Sequence, residues 1–179
     1  MNIIENATQI AVSAHEGQAR KTDGSPYIKH PFAVAQIVED AGFAEHVIAA
    51  ALVHDVLEDT SVREATLRAH LGDAVTDIVI AVSEDKTLAW EDRKEQYANQ
   101  VVHGGEEVMA VSVADKIHNA QSIITDHATL GPAIWDKFNR GKEKKIWFER
   151  LLLSKLKEKW NHPLLEEYES LVTQLENLH

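Results

Sequence analysis

Apolar and polar positions alternate at the helical period through almost the whole chain, and no stretch keeps the strand period long enough to build a sheet. An all-α fold is predicted. A first helix spans 3–19, with Ile3, Ala7, Ile10, Ala11 and Ala14 on one face, and stops at the polar loop 20–26, where Gly24 and Pro26 break it. Pro31 suits the first turn of a second helix, which carries Val34, Ile37 and Val38 before Gly42, with His30 at its entrance. Segment 45–57 is nearly all apolar and is predicted as one core helix. Further helices are expected at 63–71, 73–83, 91–102 and 106–125, then a long charged one over 132–160 and an amphipathic one over 163–178. No repeat, low-complexity tract or linker divides the sequence, so residues 1–179 read as a single domain.

Composition narrows the chemistry. With 179 residues, 44% of them hydrophobic, the chain can fill one core. Lys and Arg total 18 against 29 Asp and Glu, a formal net charge of −11, which argues against a nucleic-acid polymer as partner. A small polyanion remains compatible if the basic residues gather locally. The absence of cysteine excludes disulfides, thiolate metal sites and thiol nucleophiles. No segment reaches the roughly 18 apolar residues of a membrane span, and Glu5 stands where a signal peptide would be basic. A cytoplasmic protein, monomeric or homodimeric, is expected.

Two ionisable residues, His54 and Asp55, follow directly on the apolar run 49–53. Burying them unpaired would cost on the order of several kcal/mol. A divalent ion removes that problem, because neutral imidazole and carboxylate are both good ligands. Asp115 is a similar oddity in a second apolar helix, and His30 supplies a fourth donor. A lone buried histidine is more often hydrogen-bonded in the core than metal-bound, and adjacent His-Asp pairs arise by chance. The conjunction of a His, a distant His-Asp and a further Asp on separate apolar helices is what points to metal.

That order, H…HD…D, resembles the HD-domain phosphohydrolases, whose fold is a single helical bundle. Four stretches narrow the likeness to the hydrolase domain of the RelA/SpoT alarmone family: AHEGQARKTDGSPYIKHP from Ala14, AALVHDVLEDT from Ala50, LGDAVTDIV from Leu71 and VADKIHN from Val113. With no room for a synthetase domain in 179 residues, the chain most resembles the stand-alone small alarmone hydrolases. The resemblance implies that His30, His54, Asp55 and Asp115 ligate one Mn2+ and that Glu58 and Asp59 are the catalytic carboxylates. It also implies that Arg20 and Lys21 line the nucleotide pocket. The implied activity is hydrolysis of (p)ppGpp at the 3′-pyrophosphate, giving GDP or GTP plus pyrophosphate.

Spacing adds some support of its own. Glu58 falls four residues after His54, one turn along the same predicted helix face, and carboxylates at a helix C-terminus oppose its dipole. Lys86, Asn119 and Arg140 are further candidates for substrate binding, and His118 for a group behind the ligands. The remaining histidines, His15 among them, read as polar or surface residues. Two rivals stay open: an HD phosphohydrolase acting on the 2′-phosphate of NADPH or on nucleotide monophosphates, and a non-catalytic binding module with the metal as a staple. A staple would need the four ligands but not Glu58 and Asp59.

Overall fold

The computed structural model describes residues 2–179, and its helices are α1 (Ile3–Ala14), α2 (Lys29–Asp40), α3 (Glu45–Leu52), α4 (Val56–Asp59), α5 (Glu64–Ala81), α6 (Trp90–His103), α7 (Glu106–Leu130), α8 (Gly141–Lys159) and α9 (Pro163–Glu176). A 3₁₀ turn, Gly131–Lys137, links α7 to α8. Among the described residues the only β pairing is an isolated bridge between Ala19 and Pro26, so the all-α class holds. Among the described residues no helix is long and apolar enough to cross a membrane.

Two helices are apolar around much of their circumference and therefore lie inside. In α3 every residue from Val47 to Leu52 is buried, and α7 is buried from Val108 through Asp115. Helices α1, α2, α5 and α7 pack around α3, while α7 also meets α6 and α9. Each Val, Leu or Ile sealed there contributes roughly 1.5–3 kcal/mol, which is what allows a few charged groups to be held beside them. Helix α1 begins in a capping box, with Asn2 Oδ1 accepting from Glu5 N at 2.8 Å and Glu5 Oε2 accepting from Asn2 N at 3.0 Å.

Three helix boundaries differ from expectation. Helix α1 ends at Ala14 rather than residue 19, because residues 15–28 fold back on themselves: Arg20 N donates to Ser25 O at 2.8 Å and Tyr27 N to Gln18 O at 2.9 Å. The core helix predicted over 45–57 breaks at Val53–Asp55 into α3 and α4, so His54 and Asp55 occupy a turn. The long charged helix expected over 132–160 starts only at Gly141, whose φ of 69° suits glycine alone; residues before it form the 3₁₀ turn and a short link. The break expected near residue 72 is present as a kink inside α5 at Gly72, with φ 81°.

Candidate active site

The break between α3 and α4 creates the centre of the site. His54 Nδ1 sits 2.8 Å from Ala51 O, and since a carbonyl only accepts, Nδ1 carries a proton and Nε2 is the nitrogen that faces the carboxylates. Burial lowers the His54 pKa, but Asp55 and Asp115 outweigh it and hold it well above its ordinary value as long as no cation sits between them. That Nε2 is fully buried and forms no hydrogen bond, although Asp55 Oδ2 lies 3.0 Å away. His30, in the first turn of α2, directs Nε2 to within 3.0 Å of Asp115 Oδ1 and 3.6 Å of Asp55 Oδ2. One ligand atom each from His30, His54 and Asp115 lies within 4.8 Å of the others. Thus α2, the α3–α4 turn and the middle of α7 bring together the four residues singled out in the sequence. Two imidazoles and two carboxylates, with one buried nitrogen left over, fit a divalent cation of the borderline or oxygen-preferring kind.

The surroundings hold the carboxylates in charged form. Burial raises the pKa of Asp115, but the Lys116 ammonium, 2.6 Å from its Oδ2, and the two histidines outweigh that and leave it well below the usual range. Burial likewise opposes Asp55, and His54 more than compensates, so its carboxyl also falls below the ordinary value. Asn119 Nδ2 donates to Asp115 Oδ1 at 2.6 Å, and Tyr27 Oη donates to Asp55 Oδ2 at 2.5 Å. Behind the ligands, His30 Nδ1 meets His118 Nδ1 at 2.7 Å. Such partners fix the ring orientation of a ligating histidine.

Glu58 lines the same small cavity as the four donors, whereas Asp59 lines the next one outward. Glu58 does not reach the donors along the helix face that its spacing from His54 predicted. His54 lies in the turn and Glu58 in the four-residue α4, so they share no continuous helix face. Glu58 faces the donors because Glu84 N donates to its Oε2 at 3.2 Å and Lys86 Nζ stands 3.5 Å from its Oε1. Burial pushes the Glu58 carboxyl above its ordinary value, with the charges of Glu84 and Asp55 adding to that and the Glu84 N–H opposing it. Lys86 Nζ donates to Glu58 O and Asp59 Oδ1, both at 2.8 Å, and lines none of the three adjoining cavities.

Two larger cavities open from the centre. One of about 510 Å³ is walled by Arg20, Lys21, Tyr27, Ile123 and Phe138, and Asn119 joins it to the donors. Arg20 Nη2 donates to Asn119 Oδ1 at 3.2 Å and to Ser122 Oγ at 3.3 Å, which fixes the loop 15–28 against α7. The other, about 630 Å³, runs from Lys116 and Asn119 past Trp90 and Phe148 to Arg140. Arg140 therefore faces this outer chamber, away from the donors.

Sequence reading missed several groups. Tyr27 falls within a stretch already singled out, but it lies in the turn before α2, so no helical spacing pointed to its place beside Asp55. Lys116 was legible as a lysine in an apolar helix, though nothing local says that it pairs with Asp115. Glu84, joined to both Arg93 and Lys94 and lining the donor cavity, gave no signal. His15 is a correction. It is only 2% exposed, stacks near Tyr27 at 4.8 Å between ring centres, and holds Gln18, whose Nε2 donates to Asp59 O.

Comparison with known proteins accords with this geometry. The HD domain family matches residues 7–142. The mouse guanosine-3′,5′-bis(diphosphate) 3′-pyrophosphohydrolase MESH1 is 38% identical over 120 residues, which are 65% of this chain and 67% of that protein. The Vibrio cholerae guanosine-3′,5′-bis(diphosphate) 3′-pyrophosphohydrolase is 45% identical over 89 residues, half of this chain and 12% of the longer enzyme. Among solved structures, Listeria monocytogenes EGD-e lmo0812 matches with a TM-score of 0.76 at 37% identity, covering 85% of this chain and 98% of its own. A structure described as a metazoan ortholog of SpoT that hydrolyses ppGpp shares the fold with a TM-score of 0.83 over all of this chain and 98% of that one, at 24% identity. The chain belongs to the HD-domain family, on its MESH1-like branch, with the divalent-metal dependence of that family and a candidate site for the ion at His30, His54 and Asp115.

Proposed function

We propose that residues 1–179 form one phosphohydrolase domain that cleaves (p)ppGpp at the 3′-pyrophosphate, giving GDP or GTP plus pyrophosphate. The observation that carries the reading is a buried two-histidine, two-carboxylate cluster with an orphaned His54 nitrogen, flanked by Glu58 and opening into a cleft rich in cations. Relatives named for this reaction support the substrate. His30, His54, Asp55 and Asp115 would hold Mn2+, the ion that the family resemblance favours.

When bound there, such an ion would act as a Lewis acid on phosphoryl oxygen and lower the pKa of water. The oxygen of water attacks the phosphorus bonded to the 3′-oxygen, the P–O3′ bond breaks, and pyrophosphate departs. Glu58 and Asp59 between them take a proton from the water and supply one to the leaving 3′-oxygen. Lys86, bound to both residues, fixes their orientation. Arg20, Lys21 and Asn119 line the adjoining cavity, where they position the nucleoside and offset its charge.

The test is pyrophosphate release from ppGpp by protein stripped of metal and then given manganese, with Glu58→Ala alongside. Manganese-dependent release in the wild type, lost in a variant that still binds the ion, is the expected result. Wild type that binds manganese yet leaves ppGpp intact refutes the reading and returns NADPH and nucleotide monophosphates to first place.

A further inference from the structure

Helix α4 is a single turn, in which Glu58 N and Asp59 N both reach back to Asp55 O, at 3.2 and 2.9 Å. So short a helix has no stability of its own, and its position is set by whatever holds it. Three of its carbonyls are taken by side chains. Thr60 Oγ1 donates to Val56 O at 2.6 Å, Lys86 Nζ to Glu58 O at 2.8 Å and Gln18 Nε2 to Asp59 O at 3.1 Å. Thr60 is local and Lys86 follows α5, whereas Gln18 comes from the folded loop 15–28 at the opposite end of the sequence.

A carbonyl only accepts, so the amide nitrogen of Gln18 faces Asp59 and its oxygen faces His15 Nδ1, 2.8 Å away, which therefore carries a proton. His15 is 2% exposed, and its Nε2 is buried without a hydrogen-bond partner. Leaving such an atom unpaired costs stability that an apolar ring of similar shape would keep. Packing against Tyr27 alone therefore does not account for a histidine at this position, and donation to Gln18 does. The same loop also grips the other end of the turn: Tyr27 Oη donates to Asp55 Oδ2, and Tyr27 N donates to Gln18 O at 2.9 Å beside the Ala19–Pro26 bridge. Asp55 at the start of the turn and Asp59 at its end are thus held by two residues that are hydrogen-bonded to each other.

We propose that Gln18, aimed by His15, is a positioning residue that fixes α4 where the Glu58 and Asp59 carboxylates meet the substrate, a role apart from its place in the wall of the nucleotide cavity. Its consequence for turnover rests on the reading above. Asp59 is exposed and Glu58 only half-buried, so packing does little to hold either. Lys86, the other group from outside the segment on these carbonyls, is a long, exposed side chain and a looser restraint. Loss of the Gln18 N–H frees the end of α4, and a displacement of about 1 Å at a reacting group costs on the order of a hundredfold in rate.

Gln18→Met, His15→Phe and their double variant are compared with wild type by manganese-supported turnover of ppGpp, by bound manganese, and by amide hydrogen exchange of residues 55–60 read by mass spectrometry. Each single substitution is expected to lower kcat by roughly ten- to a hundredfold, with KM and manganese content unchanged. Because His15 acts through Gln18, the double variant should be no slower than the slower single one. Exchange over 55–60 should quicken about tenfold, while that of α3 and α7 stays the same. His15→Gln, which restores an N–H donor, should recover most of the rate. A rise in KM with kcat intact would reduce Gln18 to a wall of the cavity and overturn the proposal, as would unchanged exchange or losses that multiply in the double variant. Gln18 is half-buried in a loop, so its variant decides the matter even if His15→Phe fails to fold. Faster exchange over 55–60 in a protein whose wild type leaves ppGpp intact would uphold the hold on α4 and remove the assigned reaction.

Discussion

Asp115 and Glu149 are both carboxylates sunk into the bundle with a lysine beside them, yet their neighbourhoods are built differently. Glu149 is 1% exposed and has both oxygens occupied, one by Lys145 Nζ and the other by Tyr168 Oη. Asp115 shares its space with a second carboxylate, Asp55, and with two histidines, and the His54 Nε2 among them forms no hydrogen bond. Burial of charge is common to the two clusters, so burial alone does not mark function. What separates them is completeness: one set of donors and acceptors is satisfied within the chain, and the other leaves a gap that a cation fits.

The largest effect that would break this contrast concerns Asp115→Ala. Loss of bound metal removes several kcal/mol of transition-state stabilisation, a fall in rate of roughly a thousandfold or more. Metal content by emission spectrometry and ppGpp hydrolysis should vanish together in Asp115→Ala and Asp55→Ala. Glu149→Leu should keep its metal. If Asp115→Ala retained manganese and rate, the incomplete cluster would not be the metal centre.

Stability should show the reverse order. Glu149→Leu strips Lys145 of its carboxylate and leaves Tyr168 Oη with only the distant Glu149 O, 3.3 Å away. Breaking a buried ion pair on one side costs about 3 kcal/mol, or a melting temperature roughly 6–12 °C lower for a domain of this size. A shift under two degrees in thermal denaturation would mean that the second cluster contributes little to the fold. A smaller effect follows from linkage: manganese at a hundred times its Kd stabilises a protein by about 2.7 kcal/mol. That gain should appear in wild type and in Glu149→Leu, and be absent from Asp115→Ala.

The first cluster was largely legible in the sequence and the second was not, for a physical reason. His54, Asp55 and Asp115 interrupt apolar runs, and a polar residue where burial is obligatory is a conspicuous local signal. Glu149 sits in a charged stretch, 141–150, where helix periodicity is blurred and a buried glutamate looks like any solvated one. Helix existence was readable from period 3.6, but the ends of α1 and α3 were not. They are set by tertiary hydrogen bonds, such as those that close the loop 15–28, and by the side-chain contact of His54 with Ala51 O. The outer chamber was hidden for the same reason, since its mouth depends on where the 3₁₀ turn stops and α8 begins.

The smallest effect concerns His118, which touches His30 at the edge of the first cluster; the second cluster holds no histidine. Burial, then the neighbouring charges of His30 and Arg20, lowers the His118 pKa from its ordinary 6.5 to about 4. The sign follows from proton counting. Between those two values the unfolded chain holds the proton on His118 and the folded chain does not, so stability rises with pH there. The contribution is complete above about pH 6.5 and is lost as pH falls toward 4. Since His118 is only partly buried, solvent screening keeps the effect small. Urea denaturation of metal-free protein should therefore show a shallower dependence on pH between 6.5 and 4 in His118→Phe than in wild type, by at most one proton. An identical slope in the two proteins would show that His118 takes up its proton in the folded state as easily as in water, and that the pocket around His30 is more open to solvent than its burial indicates.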